Sequence, residues 1–200
     1  MATFWNDARL EPKRKFRWLI EVTELEGAQF FAKTVTRPSW TLGNHEHKFI
    51  NHTFNYPARV TWSPIDLTYV DGGNPDMSHS FLHVLRTSGY NWPTTSDAGS
   101  QTITKANAVR ALGQVTISQI GVDRGDILDQ WRLANAWISD VTSDTLSYED
   151  DGLVEISCKI VYDWAYLTAA GPRGNLQDPP QKNAGQHDLL KAGKKAPGAN

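Results

Sequence analysis

The chain has 200 residues, of which 40% are hydrophobic and 21% are charged. This length and composition allow one globular domain with a proper core and exclude a second full domain. The 20 basic and 22 acidic residues nearly cancel, which argues against the broad basic surface of a protein that grips nucleic acid backbones.

The N-terminal third predicts β-strands, because apolar residues recur there with period two and turn residues separate the runs. Residues 16–23 form the first predicted strand, with Trp18 and Ile20 on one face. After a turn at 24–27, residues 29–36 are predicted to pair with it as a hairpin that ends at Arg37-Pro38.

The middle third predicts two more strands, one helix and a long loop. The strands span 45–54 and 60–70, and Asn55-Tyr56-Pro57 is predicted to separate them. Met77, Phe81, Val84 and Leu85 have helical spacing, which predicts one short amphipathic helix that ends at Gly89. Residues 91–106 are too polar to bury and are predicted to be a surface loop.

The last third is the most regular, with strands predicted over 115–122, 127–133, 136–141 and 153–164. Beyond Leu167 the composition changes to Gly, Pro, Gln, Lys and Ala, which favours a flexible extension. We therefore predict an N-terminal arm over 1–15, a β-domain over 16–168 and a C-terminal extension over 169–200.

The chain lacks the fixed-spacing motifs of common enzymes. No Gly-rich phosphate loop, nucleophile elbow or zinc-protease helix is present, so we predict a protein that is not an enzyme and needs no cofactor. His45 with His47, or His79 with His83, have spacings that a metal site can use, but ordinary surface histidines are the favoured interpretation. We predict no metal site.

The single cysteine and the N-terminal sequence bear on the compartment. Cys158 is the only cysteine, so no intrachain disulfide can form, and its place on an inward strand face predicts an inert buried thiol. Residues 1–11 lack the apolar stretch of a signal peptide, and no run is long enough to be a membrane span. These features favour a protein made in a reducing, cytosol-like space.

Eight tryptophans are the unusual feature of the composition. A small β-domain cannot easily bury them all, so some are expected to anchor an interface or to stack on a ligand. Two functions therefore stay open at this point: a self-assembling structural protein, and a glycan-binding β-sandwich that uses exposed Trp and Tyr.

A series of short motifs in the last third decides between them. A strand closing on Trp-x-Leu leads to an Asn-Ala-Trp strand, a Leu-x-Tyr turn and a last strand that ends on a Tyr-Asp-aromatic triplet. In order along the chain, the segments are Val115–Gln119, Asp126–Leu133, Asn135–Ile138, Leu146–Tyr148, Val154–Ile156 and Tyr162–Trp164. This order resembles the closing pattern of tail tube proteins of contractile-tailed bacteriophages, and the resemblance spans about residues 12–168.

The resemblance implies a mainly β fold, an antiparallel β-sandwich or barrel with one flanking α-helix. It further implies hexameric rings that stack into a tube with a continuous β-barrel channel, the conduit for DNA ejection. The implied partners are further copies of the chain, the tail sheath protein, the baseplate and tail terminator proteins, and genomic DNA passing without specific binding. The implied location is the virion tail, assembled in the host bacterial cytoplasm. A baseplate tube initiator and the tube protein of an injection machine are the alternatives within this class.

Two sets of residues are predicted to matter for assembly. Lys13, Arg14 and Lys15 form a basic cluster before the first strand of an otherwise acidic domain, and opposite charges at a ring-to-ring face would steer stacking. Trp131 and Trp137 are predicted to anchor the core or the seam between subunits. The full predicted set of core or interface residues is Trp18, Trp40, Trp131, Trp137, Tyr162, Asp163 and Trp164.

Overall fold

The computed structural model describes residues 12–25, 28–94, 102–121 and 126–168. Within them the chain is mainly β, as predicted. Its elements are β1 (Trp18–Val22), α1 (Ala28–Phe31), β2 (Ala32–Val35), β3 (Ser39–Phe49), β4 (His52–Ser63), β5 (Ile65–Val70), α2 (Met77–Thr87), α3 (Lys105–Leu112), β6 (Val115–Ile120), β7 (Ile127–Ala134), β8 (Trp137–Ser143), β9 (Glu155–Val161) and β10 (Trp164–Thr168). The predicted extension over 169–200, and residues 1–11 of the predicted arm, lie outside the described residues.

The strands form two four-stranded antiparallel sheets and one separate hairpin. The first sheet has the order β1-β6-β7-β10, and the second sheet has the order β2-β5-β9-β8. Within the described residues, strands β3 and β4 pair only with each other, and we call them the projecting hairpin. The alternation of apolar and polar residues lets each sheet turn one face to a shared core and leave the other face polar.

The core lies between the two sheets and the two longer helices. Tyr69 of β5 is fully buried, and its ring centroid lies 5.8 Å from that of Phe81 on α2. Cys158 of β9 is also buried, and this burial raises the pKa of its thiol to about 12, as expected for an inert cysteine. The largest fully buried side chains are Tyr69, Ile20, Ile65, Leu67, Met77, Leu112, Ile156, Ile160 and Val115.

Helix α2 confirms the predicted amphipathic helix. Asp76 caps its N-terminus, where its side chain accepts a hydrogen bond from the backbone N–H of His79 at 3.0 Å. Met77, Phe81 and Val84 are buried along its core face. No helix in the described ranges is long and apolar enough to cross a membrane.

Helix α3 is a second flanking helix that the sequence prediction did not include. Thr104 caps its N-terminus by accepting a hydrogen bond from the backbone N–H of Asn107 at 3.3 Å. The helix ends at Gly113, whose φ of 72° suits glycine, and a Cβ there would lie 2.8 Å from the Cβ of Thr23. Helix α3 therefore begins inside the predicted loop over 91–106, of which residues 95–101 lie outside the described residues.

The predicted hairpin between residues 16–23 and 29–36 is wrong. Strand β1 pairs with β6 in the first sheet, whereas β2 pairs with β5 in the second sheet. Helix α1 lies between them along the chain, so the chain passes from one sheet to the other instead of turning back. Local alternation of apolar and polar residues indicates that a segment is a strand, but it does not indicate which other strand pairs with it.

Three predicted strands are also bounded wrongly, and the one over 60–70 is divided at Pro64 between β4 and β5. Tyr56 and Pro57 lie inside β4 and not in a turn, because the register shifts opposite them and a bulge accommodates the proline. The turn of this hairpin lies instead at Ile50, whose φ is 52°. The single strand predicted over 153–164 is divided, since Tyr162 and Asp163 separate β9 from β10.

Candidate assembly surface

The projecting hairpin is a continuation of two strands of the second sheet. The chain runs from β2 into β3 and from β4 into β5, with Pro38 and Pro64 at the two junctions. Just below them, the backbone N–H of Thr36 donates to the carbonyl of Asp66 at 2.9 Å. A proline cannot donate to a β-ladder, so the pair of prolines separates the hairpin from the sheet that positions it.

Two contacts hold the root of the projecting hairpin to the body of the subunit. The ring of Trp62 lies 5.9 Å from the ring of Tyr162, centroid to centroid. Arg37 donates from Nη2 to Oδ2 of Asp129 on β7 at 3.3 Å. Beyond this root every residue of β3 and of β4 as far as Thr61 is exposed.

The exposed apolar residues of the hairpin form two patches on opposite faces. Near the root, Trp40, Leu42 and Val60 are exposed on one face, next to the half-buried Trp62; we call these three exposed residues the root patch. Beyond the bulge at Gly43, the residues of β3 that carry large side chains fall on the other face, because successive side chains of a strand alternate. This second set, the tip patch, consists of Phe49, Phe54 and Tyr56, with His45, His47 and His52 beside them.

This arrangement is unfavourable in an isolated subunit. A two-stranded hairpin on its own is marginally stable in water. Trp40 is 56% exposed, Phe49 is 59% exposed and Tyr56 is 53% exposed. Contiguous exposed apolar patches generally mark surfaces that another molecule covers. The projecting hairpin is therefore the strongest candidate for an assembly element in the described part of the chain.

The seven predicted core or interface residues do not form one site. Tyr162 is buried, Trp18 and Trp131 are half-buried against the core, and Trp137 is half-buried at the start of β8. Asp163 and Trp164, which directly follow Tyr162 in the chain, are exposed. Trp40 belongs to the root patch. The residues that sequence reasoning missed are those of the tip patch, because the turn was placed at 55–57.

Asp163 joins two of the closing motifs to helix α3. Its two carboxylate oxygens accept hydrogen bonds from Nζ of Lys105, the first residue of α3, each at 2.7 Å. Oδ2 also accepts from the side-chain amide of Asn135 at 2.7 Å, and Asn135 turns the chain from β7 to β8 with a φ of 54°. These donors, Lys105 first, lower the pKa of Asp163. Three chain segments are thus joined at one carboxylate.

We expect the Asp163→Asn variant to lose about 0.5–1 kcal/mol of stability at pH 7, since the ion pair is partly solvated. A lowered folded-state pKa stabilises the fold above the unfolded value of about 3.9, and this contribution is lost as the pH falls through the folded value. The difference between wild type and variant should therefore shrink below about pH 4. Urea unfolding at pH 7 and pH 3 measures it, and a difference equal to that of the exposed control Glu149→Gln would contradict the assignment.

The basic cluster before β1 is partly used within the subunit. Nζ of Lys13 forms an ion pair with Asp129, the same buried carboxylate that binds Arg37. Gln119 donates from its side-chain amide to the carbonyl of Arg14 at 2.7 Å. Lys13, Arg14 and Lys15 are all exposed. Asp129 therefore joins the segment before β1 to the root of the projecting hairpin, and the predicted role of the cluster in ring stacking stays a prediction.

Replacing Asp129 by Asn is expected to destabilise the subunit by about 2 kcal/mol. Removing one partner of a buried ion pair commonly costs about 3–5 kcal/mol, but here both cations are half-exposed and water can solvate them. Chemical unfolding compares the variant with Glu21→Gln, an exposed acid on the same sheet. Equal stability of the two variants would show that Asp129 does not hold the segment before β1 to the root of the projecting hairpin.

The described residues show no arrangement typical of catalysis. In these ranges no group of three His, Cys, Asp or Glu side chains is placed to hold a metal ion. His45 and His47 lie beside the tip patch, and His79 and His83 lie on α2. The chemistry that the surface offers is apolar and electrostatic contact.

No family model matches the chain, and no curated protein matches it. Several solved structures share its fold. A chain of the anti-feeding prophage baseplate matches with a TM-score of 0.59 at 12% identity, over 80% of this chain and 98% of that one. A chain of the sheath/tube terminator of an extracellular contractile injection system, PVC, also gives 0.59, at 13% identity over 81% and 100%.

A third match is a chain of the PVC sheath-tube complex in its extended state. Its TM-score is 0.56 at 13% identity, and the match covers 84% of this chain and 99% of that one. The three matched chains are covered almost completely, so the likeness extends over whole subunits. The chain therefore has the fold found in subunits of contractile injection systems.

Proposed function

We propose that the chain is a structural subunit of the inner tube of a contractile tail, and that copies of it assemble into rings and stack. The observation that carries this proposal is the projecting hairpin. The hairpin is held at its root and exposed beyond it. The root patch and the tip patch lie on opposite faces, which suits an element that lies between neighbouring subunits. A monomer would gain nothing from such a structure.

The similar folds support the same assignment. They belong to an anti-feeding prophage baseplate and to a terminator and a sheath-tube complex of an extracellular contractile injection system. We infer six copies per ring, because the resemblance in the closing motifs implies hexamers. A heterologous contact that repeats along an axis then extends the rings into a tube.

The finer parts of the proposal concern partners and place. We infer that the tube is enclosed by a tail sheath protein, meets baseplate and terminator proteins at its ends, and forms part of the virion tail after assembly in the bacterial cytoplasm. Genomic DNA would pass through its lumen without specific binding, which a nearly neutral subunit allows. A baseplate tube initiator, a terminator and an injection-machine tube protein are variants of this role.

Negative-stain electron microscopy of the purified chain at increasing concentration tests the proposal. Rings or tubes with a central channel are the expected result. The alternative from another class, a glycan-binding β-sandwich, draws on three exposed tryptophans: Trp40 on β3, Trp164 on β10, and Trp92 in the segment after α2. Persistent monomers that are retarded in polysaccharide gels would favour that alternative and overturn the tube.

A further inference from the structure

An apolar groove opens beside one edge of the second sheet. It has a volume of about 630 Å³ and lies between α2, α3 and β8. Phe81, Leu82 and Leu85 of α2 form one wall, and Trp137 and Val141 of β8 form the other. Leu82 is 47% exposed and Val141 is 42% exposed, so the groove presents apolar side chains directly to water.

Strand β8 borders this groove and is an edge strand. It is the last strand of the second sheet, and within the described residues only β9 pairs with it. Its residues from position 139 to position 143 are exposed. Natural proteins usually cover or charge such an edge, because its free backbone groups would otherwise pair with other chains.

The segment that follows β8 is strongly acidic. Residues 144–154, which lie between β8 and β9, contain Asp144, Glu149, Asp150 and Asp151 and no basic residue, a net charge of −4. Three large apolar side chains in the same segment are also exposed: Leu146 at 78%, Tyr148 at 112% and Leu153 at 72%. We call the groove together with this segment the acidic dock.

The projecting hairpin complements the acidic dock in its charge and in its exposed apolar surface. Between Ser39 and Ser63 it carries Lys48 and Arg59 against Glu46, a net charge of +1, with three histidines in addition. Its tip patch presents aromatic side chains of the size that the groove can accept. Each surface leaves apolar area exposed in the subunit alone, and opposite charges would bring the two together in one orientation.

We propose that the acidic dock of one copy receives the projecting hairpin of a second copy. The tip patch fills the groove with Trp137 in the contact, and the acidic segment approaches the hairpin from its other face, where Lys48 lies, and from the bulge next to Arg59. This inference rests on the proposed self-assembly and names the surface through which it occurs. Because the hairpin and the dock are different surfaces of one chain, the contact is heterologous and can repeat around a ring or along a tube.

Disulfide formation between two variants tests the contact. Phe54→Cys is mixed with Leu82→Cys, and the control mixture replaces Leu82→Cys by Leu19→Cys, an exposed position on the first sheet. Wild-type Cys158 is buried and stays in place. After mild oxidation we expect at least tenfold more covalent dimer in the first mixture than in the control. Phe49→Cys and Val141→Cys give a second pair, in case one position is out of register.

Sedimentation of each mixture distinguishes a failure of the acidic dock from a failure of the proposed function. Rings with no excess of covalent dimer for either pair would overturn the acidic dock and leave the proposed function standing. Absence of rings, in wild type as well, would overturn the proposed function.

A charge exchange gives an independent test. The variant Lys48→Glu with Arg59→Glu should assemble at least tenfold more slowly at low salt, and adding Asp150→Lys with Asp151→Lys should restore the rate. The rate should fall with salt for wild type, since screening shortens the range of the attraction. If the second pair of changes fails to restore the rate, the basic residues of the hairpin do not face the acidic segment, and the inference is wrong.

Discussion

Replacing the three aromatic residues of the tip patch with threonine should abolish assembly while the subunit stays folded. The variant carries Phe49→Thr, Phe54→Thr and Tyr56→Thr. Burying one large apolar side chain fully contributes about 1.5–3 kcal/mol, and about half of each of these three side chains is exposed, so their loss weakens each contact by about 50-fold to 2000-fold. Threonine retains a strong preference for strands, which protects the hairpin itself.

Sedimentation velocity at a fixed concentration measures this effect. Wild type is expected to sediment as large assemblies and the triple variant as a 22.4 kDa monomer. The matched control is Asn55→Thr, a residue on the other face of the hairpin whose replacement leaves the charge unchanged. Assemblies of equal size from the triple variant would show that the tip patch is not an interface.

Trp131→Ala should lower the free energy of unfolding by about 3 kcal/mol. In the register of the first sheet, Trp131 lies between Ile117 of β6 and Leu167 of β10, and it packs against the buried core. Large-to-small changes of buried aromatic residues cost about 3–5 kcal/mol, and partial exposure of this ring places it at the lower end. Its buried ring nitrogen has no hydrogen-bond partner among the described residues, so the loss is one of packing.

The control for this variant is Trp164→Ala. Trp164 is 50% exposed on β10, and its removal should cost less than about 1 kcal/mol. Denaturant unfolding of the monomeric tip-patch variant, carrying either change, separates subunit stability from assembly. Equal losses for the two tryptophans would contradict the assignment of Trp131 to the core and Trp164 to the surface.

Local sequence patterns were sufficient for much of the fold. The alternation in Val115–Ile120 and Glu155–Val161 predicted strands in the right places, and the helical spacing of Met77, Phe81 and Val84 predicted α2. These patterns work because burial on one face is a local property of each element. Helix α3 carried a signal that was missed, a Thr104 cap and a Gly113 end, hidden at the margin of a polar stretch.

Pairing and assembly surfaces were harder to predict. The partner of β1 lies about a hundred residues away along the chain, and nothing in the sequence of 16–23 specifies it. The proline at position 57 indicated a turn, yet a bulge accommodates it inside β4. Nor did the sequence indicate that Lys13 of the basic cluster binds the buried Asp129, a contact between distant segments.

Cryo-electron microscopy of assemblies formed by the purified wild-type chain tests the central claim, that copies join through the projecting hairpin. We expect stacked rings in which the hairpin of each copy is ordered, with its tip patch in contact with a neighbouring subunit. Rings in which the hairpin extends into solvent would contradict this account, as would a preparation that contains only monomers at every concentration.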